Sequence, residues 1–339
     1  MIEKFFIKNE LTLKRYRRFK KDRLAVISAI GLFILLVVSF SAEFWANNKP
    51  IIMKYHGRVY VPMIFSYHPT EFGIEDQVVT DYRGLEMKDG DWWVWPLVQW
   101  DPFESNKVVE SYPSKPTGDN IFGTDDRGRD VFTRLLYGFR YTISFAVGSW
   151  LLTYFVGVSL GALMGYLGGN FDLVMNRISE VVETMPIFFV LITMNSIFTP
   201  NVALLCVFMA VLNWTGIAAH MRGQFLSLRK REYVEAAKAI GSSDSRIIFK
   251  HILPNAITPI VTFAPFAIAG GVSALSFLDY LGLGLTPPTP SWGELIGQAQ
   301  KYFSSADWLV WAPSGALVLT LSLLMGIGSG VRNAYDSKA

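Results

Sequence analysis

The stretch REYVEAAKAIGSSDSRIIFKHILPNAITPIV, from Arg231 to Val261, lies between two long apolar runs. Good helix formers from Glu232 to Ile240 are followed by Gly241, where the C-terminal glycine of a helix belongs. The two serines after this glycine are candidate N-caps of a second helix that runs to about Leu253. Pro254 then suits the start of the next apolar segment, because its missing N–H costs nothing there. The pattern predicts two short helices that meet at a glycine corner outside the apolar segments.

The apolar runs themselves decide the class of protein. The chain has 339 residues, of which 51% are hydrophobic and only 17% are charged. A soluble protein of this length has about a quarter charged residues, and uninterrupted apolar runs of this kind indicate membrane helices. We therefore predict six membrane spans, at Leu24–Phe44, Tyr141–Leu167, Pro186–Phe198, Val202–Ala219, Ala256–Phe277 and Trp308–Val331. We interpret the first span as a retained anchor, because it is about twenty residues long and has no clear cleavage site.

Several classes of function find no support in the sequence. Cys206 is the single cysteine, so there is neither a disulfide framework nor a CxxC site. A net charge of +3 without a basic and aromatic patch argues against a nucleic-acid partner. No phosphate-binding loop, HExxH, GxSxG or GxGxxG motif is present, and we expect no catalytic, cofactor or metal site. The four scattered histidines are interpreted as structural or surface residues: His56, His68, His220 and His251.

The predicted spans carry no ionisable residue in their middle. Proton-coupled and ion-coupled carriers usually need such groups to bind or relay the driving ion. The chain therefore looks like a transport pathway whose energy arrives from elsewhere. A stand-alone carrier stays open as the alternative, because backbone carbonyls can hold sodium.

Lys and Arg predict the orientation of the chain. Residues 1–23 hold nine Lys and Arg residues, and residues 222–250 hold seven. The loop 46–120 holds seven Lys and Arg against eleven Asp and Glu, and residues 278–307 hold one Lys against three Asp and Glu. With six spans, both termini and both basic segments lie on the cytoplasmic side. Four arginines that precede the second span oppose this orientation: Arg127, Arg129, Arg134 and Arg140.

The outer loop is long enough for a small folded subdomain. We predict a hairpin with His56-Gly57 at its turn, and a second turn at Asp89-Gly90 before an aromatic strand. Four tryptophans either pack a small β core, lie at the lipid interface or form a ligand platform, and we favour the first two roles. They are Trp92, Trp93, Trp95 and Trp100.

Two smaller patterns concern packing. Gly157, Gly161 and Gly165 lie on one face of the second span, where small side chains let another helix approach closely. Ser291 and Glu294 form a predicted capping box at the start of a short surface helix.

The role of the opening stretch is undecided on patterning alone. The small side chains of Ala236 and Ala237 leave a flat face that fits a groove of another protein. An interfacial helix that rests on anionic lipid is an equally good interpretation.

A family resemblance favours docking in a groove of another protein over contact with lipid. The pattern E-A-A-x-x-x-G followed by L-P resembles the signature loop of ABC importer permeases, and the matching residues are Glu235, Ala236, Ala237, Gly241, Leu253 and Pro254. In that family this loop is the coupling helix that docks on the cytoplasmic ATPase. The fuller pattern has isoleucine two residues before Leu-Pro, where this chain has His251.

Two further stretches resemble the second permease subunit of dipeptide and oligopeptide importers. They are FGTDDRGRDVFTRLLYGFRYTIS, Phe122–Ser144, and LGLGLTPPTPSWGELI, Leu281–Ile296. The outer loop is most similar to that of Yej-type permeases.

The resemblance implies an all-α polytopic membrane protein with six transmembrane helices, the type I ABC importer permease fold, and a small β-containing periplasmic insertion. We expect a basic N-terminus and first helix at 1–45, the insertion and pre-core segment at 46–136, and a five-helix core at 137–334 with a coupling loop at 222–255. It also implies a multi-pass subunit of the bacterial inner membrane, embedded in the lipid bilayer, with no chemistry or cofactor of its own. The partners would be a homologous second permease, ABC ATPase subunits and a periplasmic peptide-binding protein that delivers the peptide substrate. A stand-alone secondary carrier, a channel and a membrane anchor are the alternative classes.

Overall fold

A computed structural model describes residues 10–75 and 78–336, and these are mainly helical. The helices in chain order are α1 Glu10–Lys21, α2 Arg23–Phe40, α3 Ala42–Trp45, α4 Val131–Leu167, α5 Gly169–Thr184, α6 Ile187–Ile197, α7 Val202–Leu228, α8 Glu232–Ala239, α9 Asp244–Arg246, α10 Leu253–Ala256, α11 Thr258–Tyr280, α12 Trp292–Lys301 and α13 Trp308–Tyr335. A π-helical segment, Ile247–Ile252, joins α9 to α10. The strands are β1 Ile52–Tyr55, β2 Arg58–Tyr60 and β3 Trp92–Val94, and two 3₁₀ helices cover Pro69–Phe72 and Tyr82–Gly84.

Five of these helices, α2, α4, α7, α11 and α13, are long and apolar enough to cross a membrane. The bent pair of α5 and α6 makes a sixth candidate span, with an angle of 78° at the break. The prediction of a single short third span at Pro186–Phe198 is therefore incomplete, because α5 precedes it. Hydropathy missed α5 because charged side chains interrupt its apolar residues, among them Asp172, Arg177 and Glu180.

The long helices also continue past the predicted span limits. Helix α4 begins at Val131 rather than at Tyr141, and α7 runs to Leu228 rather than ending at Ala219. The added turns contain arginines, which a hydropathy pattern reads as the end of a span. Arg140 pairs with Glu43, and Arg222 pairs with Asp172. Because each arginine has a carboxylate partner, the helix can continue through it beyond the apolar part.

The described residues divide into two compact units. The first contains the residues up to Leu32, the segment Thr142–Thr286 and the residues from Leu317 on. Inside it, the predicted glycine face of α4 packs directly on α7: a Cβ atom at Gly157 would lie 2.8 Å from the Trp214 carbonyl oxygen, and one at Gly165 would lie 2.6 Å from that of Arg222. Real Cβ contacts are longer than these distances, so the glycine spacing is what permits this helix pair.

The second unit, Phe33–Tyr141 and Pro287–Ala316, contains the predicted outer subdomain. Its three antiparallel strands have the order β2-β1-β3, and the β1–β2 hairpin turns at His56 and Gly57, which have φ angles of 47° and 79°. Both residues have positive φ, as the tight hairpin turn requires. The aromatic strand β3 follows the turn at Gly90, so both predicted turns are confirmed.

The tryptophans of this unit have different environments. Trp93 and Trp95 pack on a buried, mainly aromatic core that includes Phe72 and also Met53. The predicted packing role is therefore confirmed for Trp93 and Trp95. Trp92 is about half exposed, at 45%. Trp100 lines an open cavity of about 930 Å³, where its ring lies 4.6 Å from the Arg83 guanidinium and its Nε1 donates to the Asp119 carbonyl oxygen.

Candidate coupling surface

The opening stretch forms the glycine corner that the sequence predicts. Helix α8 ends at Ala239, and Gly241 follows with a φ angle of +77°. The N–H of Gly241 donates to the Lys238 carbonyl oxygen at 2.9 Å, and the N–H of Ser242 donates to that of Ala237 at 3.1 Å. This is the hydrogen-bond pattern of a helix closed by a left-handed residue, a conformation that glycine adopts without strain.

The second half of the loop is helical but irregular. Ser243 precedes α9 as the N-cap residue, although its side chain makes no capping hydrogen bond. The π-helical segment interrupts the predicted single helix, and Pro254 lies in the first turn of α10, as expected from its missing N–H. The predicted second helix is therefore present as a run of mixed helical geometry.

Buried side chains hold this loop on the first unit. Val234, Ile247 and Ile252 are fully buried in one cluster with Met221 and Phe225 of α7. Rows of apolar side chains on both halves of the loop therefore pack on the end of a membrane-spanning helix. The loop is a fixed part of this unit, because burial of several large apolar side chains favours this position by several kcal/mol (~1.5–3 for each).

The two alanines of the signature have opposite environments. Ala236 is exposed, whereas Ala237 is buried in the same cluster at 5% exposure. The expectation that both alanines form one flat outward face is therefore wrong. The reason is helical geometry: Val234 and Ala237, three residues apart, lie on the buried side of α8, and Ala236 is turned about 100° away from Ala237.

Polar contacts add to this attachment. Arg229 Nη1 donates to the carbonyl oxygens of Gly165 and Tyr166, both at 3.1 Å, and so caps the end of α4. The Tyr166 hydroxyl donates to Asp244 Oδ1 at 2.5 Å, and Lys238 Nζ lies 5.4 Å from the Tyr166 ring centre. One tyrosine at the end of α4 thus touches both halves of the loop.

An ion pair connects the two helices that flank this attachment. Arg222 Nε and Nη2 donate to the two carboxylate oxygens of Asp172 at 2.5 and 2.6 Å. This bidentate geometry fixes α7 against α5. Residues 222–228, predicted as part of the loop, are the last turns of α7. The sequence reasoning missed Asp172, Arg222, Arg229 and Tyr166, because their roles depend on partners that are distant in the chain.

The outward side of the loop has a mixed apolar and charged character. Ile240 and Phe249 are 83% and 68% exposed, and Tyr233 is also exposed. The Glu235 carboxylate is exposed, and nothing in 10–75 or 78–336 pairs with it. We call the side chains of Tyr233, Glu235, Ala236, Ile240 and Phe249 the coupling surface. Large exposed apolar side chains on the same short loop as an exposed charge are typical of a surface that contacts a partner.

The other two signature stretches meet in the second unit, where they form a buried charge cluster. Arg129 Nε donates to Asp125 Oδ2 at 2.7 Å, and its Nη2 donates to Glu294 Oε1 at 3.0 Å. Arg134, which has no exposed side-chain surface, donates to Glu294 Oε2 and to the Pro102 carbonyl oxygen. Its Nε lies 3.4 Å from Asp125 Oδ2 in an ion pair without hydrogen-bond geometry. Each buried charge therefore faces an opposite charge.

The predicted capping pair of α12 is part of this cluster. Ser291 Oγ accepts the hydrogen bond of the Glu294 N–H at 3.2 Å, so the predicted N-cap of α12 is confirmed. The Glu294 carboxylate also binds the two arginines of the cluster. At the start of α4, Asp130 accepts from the Thr133 N–H and from Asn120, and burial raises the pKa of its carboxyl group.

A family model described as "Binding-protein-dependent transport system inner membrane component" matches residues 157–338. The chain is 33% identical to the peptidoglycan transport system permease protein YejE of Agrobacterium fabrum, over 96% of this chain and 93% of that protein. It is 35% identical to the inner membrane ABC transporter permease protein YejE of Escherichia coli, over 95% and 96%. It is 37% identical to the oligopeptide transport system permease protein OppC of Escherichia coli, over 68% and 76%.

Among solved structures, the MetNI methionine ABC transporter in inward-facing conformations contains a similar chain. The TM-score is 0.50 at 18% identity, over 60% of this chain and 97% of that chain, which supports the fold. The expected all-α permease fold is confirmed, and the alternatives of a stand-alone carrier or channel find no support. The protein is a multi-pass, non-catalytic membrane subunit, and it belongs to the binding-protein-dependent transport system inner membrane components, the permeases of ABC importers.

Proposed function

We propose that this chain is a permease subunit of a peptide importer and that its coupling surface docks on the ATPase subunit. The observation that carries the docking proposal is that Glu235 has no partner among the described residues, on a loop that also exposes Ile240 and Phe249 and whose other side is buried. ATP-driven movement of the ATPase would reach the membrane helices through this loop, because its buried side chains pack on α7. The proposed site residues remain Glu235, Ala236, Gly241, Leu253 and Pro254, with Ala237 as an internal packing residue.

Cysteine crosslinking tests the docking proposal. A cysteine at Ala236 should crosslink to the co-expressed ATPase, whereas the matched control at Ala237 should not, because that position is buried inside this chain. Background from Cys206 is low, since this residue is buried. An active complex in which no exposed position from Glu232 to Ile240 crosslinks would contradict docking by this surface.

Peptides are the proposed substrate class. The names of the relatives refer to peptidoglycan, oligopeptide and dipeptide transport. Peptide chains are common to all three, since peptidoglycan fragments carry short peptides. We propose that a periplasmic binding protein delivers the peptide and that a homologous permease pairs with the core, 137–334. Uptake of a labelled oligopeptide and of a labelled peptidoglycan fragment should both be compared in cells with and without this chain; no difference for either substrate would contradict the proposal.

The proposed orientation has both termini in the cytoplasm and the insertion in the periplasm. The main objection, the four arginines around the start of α4, loses weight because three of them have carboxylate partners: Arg129, Arg134 and Arg140. A cysteine at Val59, which is 60% exposed, should react with a membrane-impermeant thiol reagent once the outer membrane is permeable. Reaction only after lysis of the inner membrane would reverse the topology.

A further inference from the structure

The N-terminal helix α1 has two faces of different character. Its sequence ELTLKRYRRFKK contains six basic residues and one acidic residue. Lys14, Arg17, Arg18 and Lys21 have the spacing i, i+3, i+4 and i+7, which brings them to one side of the helix. Thr12, Arg15, Tyr16 and Phe19 follow the same spacing on another side, and this second face lines a groove.

The groove is an apolar cavity of about 330 Å³ within the first unit. Tyr16 and Phe19 of α1 form one wall, and Val261 of α11 and Val331 of α13 form another. Val261 lies in the first turn of its helix, and Val331 lies near the end of its own. The groove is therefore level with the ends of two membrane-spanning helices, where lipid headgroups meet acyl chains.

Arg15 lines this groove, and Arg18, on the basic side of α1, reaches the edge of the groove, where Asp336 follows the lining residue Tyr335. Both arginines are held in place without being neutralised. The Arg15 guanidinium carbon lies 4.1 Å from the Tyr335 ring centre, and Arg18 Nη1 donates to the Asp336 carbonyl oxygen at 2.7 Å. In the described part of the chain, no carboxylate forms an ion pair with either arginine. The guanidinium groups therefore keep both their charge and free N–H donors beside an apolar groove.

An anionic phospholipid complements both features. An arginine guanidinium binds phosphate oxygens with charge-assisted hydrogen bonds, and an apolar groove removes part of an acyl chain from its surroundings. The rule that places basic residues on the cytoplasmic side explains the number of charges on α1. It requires neither a groove nor arginines fixed at its edge. An acidic protein surface would satisfy the charges but would leave the apolar groove unfilled.

We propose that the α1 groove binds one anionic glycerophospholipid, with an acyl chain between Phe19 and Val331 and the phosphate at Arg15 and Arg18. The lipid joins α1 to the ends of α11 and α13 and so stabilises the first unit from the membrane surface. Its binding is independent of peptide, nucleotide and the coupling surface.

Native mass spectrometry of the delipidated, assembled transporter tests the proposal. Dioleoylphosphatidylglycerol should add one tightly bound lipid per copy of this chain. Dioleoylphosphatidylcholine has the same acyl chains, but its choline cation offsets the phosphate charge, so it should bind the two arginines about tenfold more weakly. Equal binding of the two lipids would overturn the proposal. Inorganic phosphate should not displace the lipid at equal concentration; full displacement would assign the site to free phosphate.

Variants distinguish a specific lipid site from general attraction of anionic lipid to the positive charge of α1. Arg15→Gln should weaken phosphatidylglycerol binding about tenfold, and Val331→Phe should weaken it by filling the groove without a change of charge. Arg17→Gln is the matched control, because it removes one charge from the same helix outside the groove lining. Equal losses in Arg15→Gln and Arg17→Gln, or unchanged binding in Val331→Phe, would overturn the proposal. Co-purification with the partner subunits and an unchanged lipid-free melting temperature show that the variants are folded.

Discussion

The coupling surface and the buried charge cluster both come from signature stretches of the family, yet they use their charges in opposite ways. In the loop, Glu235 is exposed and has no partner in the described residues. In the second unit, Glu294 is mostly buried and binds both Arg129 and Arg134, which are buried. A charge without an internal partner is available to another protein, whereas a buried charge with several partners is committed to the fold. The same residue type therefore serves the fold in one signature motif, and in the other we propose that it docks on another protein.

The largest expected effect comes from exchanging these two glutamates for glutamine. Glu294→Gln leaves two buried arginines short of negative charge and should lower the free energy of unfolding by about 3–5 kcal/mol. Glu235→Gln should change it by less than about 0.5 kcal/mol, because the side chain is exposed. Thermal unfolding of both purified variants measures the difference, and peptide uptake should fall in Glu235→Gln despite its normal stability. Equal stability losses would contradict the contrast between the two regions.

The next effect concerns the helix pair that supports the coupling loop. A Cβ atom at Gly161 would lie 2.8 Å from the Ala218 Cα atom, so Gly161→Leu must push α4 away from α7. We expect a loss of about 1–3 kcal/mol or more from this overpacking. Gly216→Leu is the control, since a Cβ atom there would have no neighbour within 4 Å. Expression level and melting temperature provide the measurement; similar values for the two variants would show that the glycine face is not required for packing.

A smaller effect is expected at the corner of the loop. Gly241 has a φ angle of +77° and open space around its Cα, so the cost of Gly241→Val is conformational, about 1–2 kcal/mol. The strain should distort the coupling surface and reduce peptide uptake per ATP hydrolysed, while the protein still inserts in the membrane. Gly241→Asn should behave nearly like the wild type, since asparagine tolerates left-handed backbone. Normal uptake by the valine variant would remove the support for this loop as the coupling element.

The smallest effect is a pH dependence at Asp130, which follows Arg129 of the buried charge cluster in the chain. Burial raises the pKa of the Asp130 carboxyl group, so the folded state binds this proton more tightly than the unfolded state does. The corresponding stability is complete below the unfolded-state pKa and is lost as the pH rises through the folded-state pKa. Asp130→Asn does not titrate, so its melting temperature relative to the wild type should improve from acidic to neutral pH. A difference that stays constant, or that changes in the opposite direction, would contradict the raised pKa.

The sequence by itself determined the features that depend on local chemistry and on hydrophobic patterning. The glycine corner at Gly241, the turn at His56 and Gly57, the cap at Ser291 and five of the membrane spans follow from short-range rules. The glycine spacing also predicted a close helix contact, although α7 as its partner was not predictable from α4 alone.

Only the tertiary structure decided which charges and small side chains face inward. Ala237 is buried, whereas its neighbour Ala236 is exposed. Arg222 forms an ion pair with Asp172. Glu294 binds Arg129 and Arg134, which are distant from it in the chain. The physical reason is that an ion pair depends on distance in space, and a hydropathy pattern counts each arginine as polar whether or not a carboxylate lies beside it. For the same reason α5 and the extra turns of α4 and α7 were missed, since Asp172, Arg140 and Arg222 acquire their partners only when the helices pack.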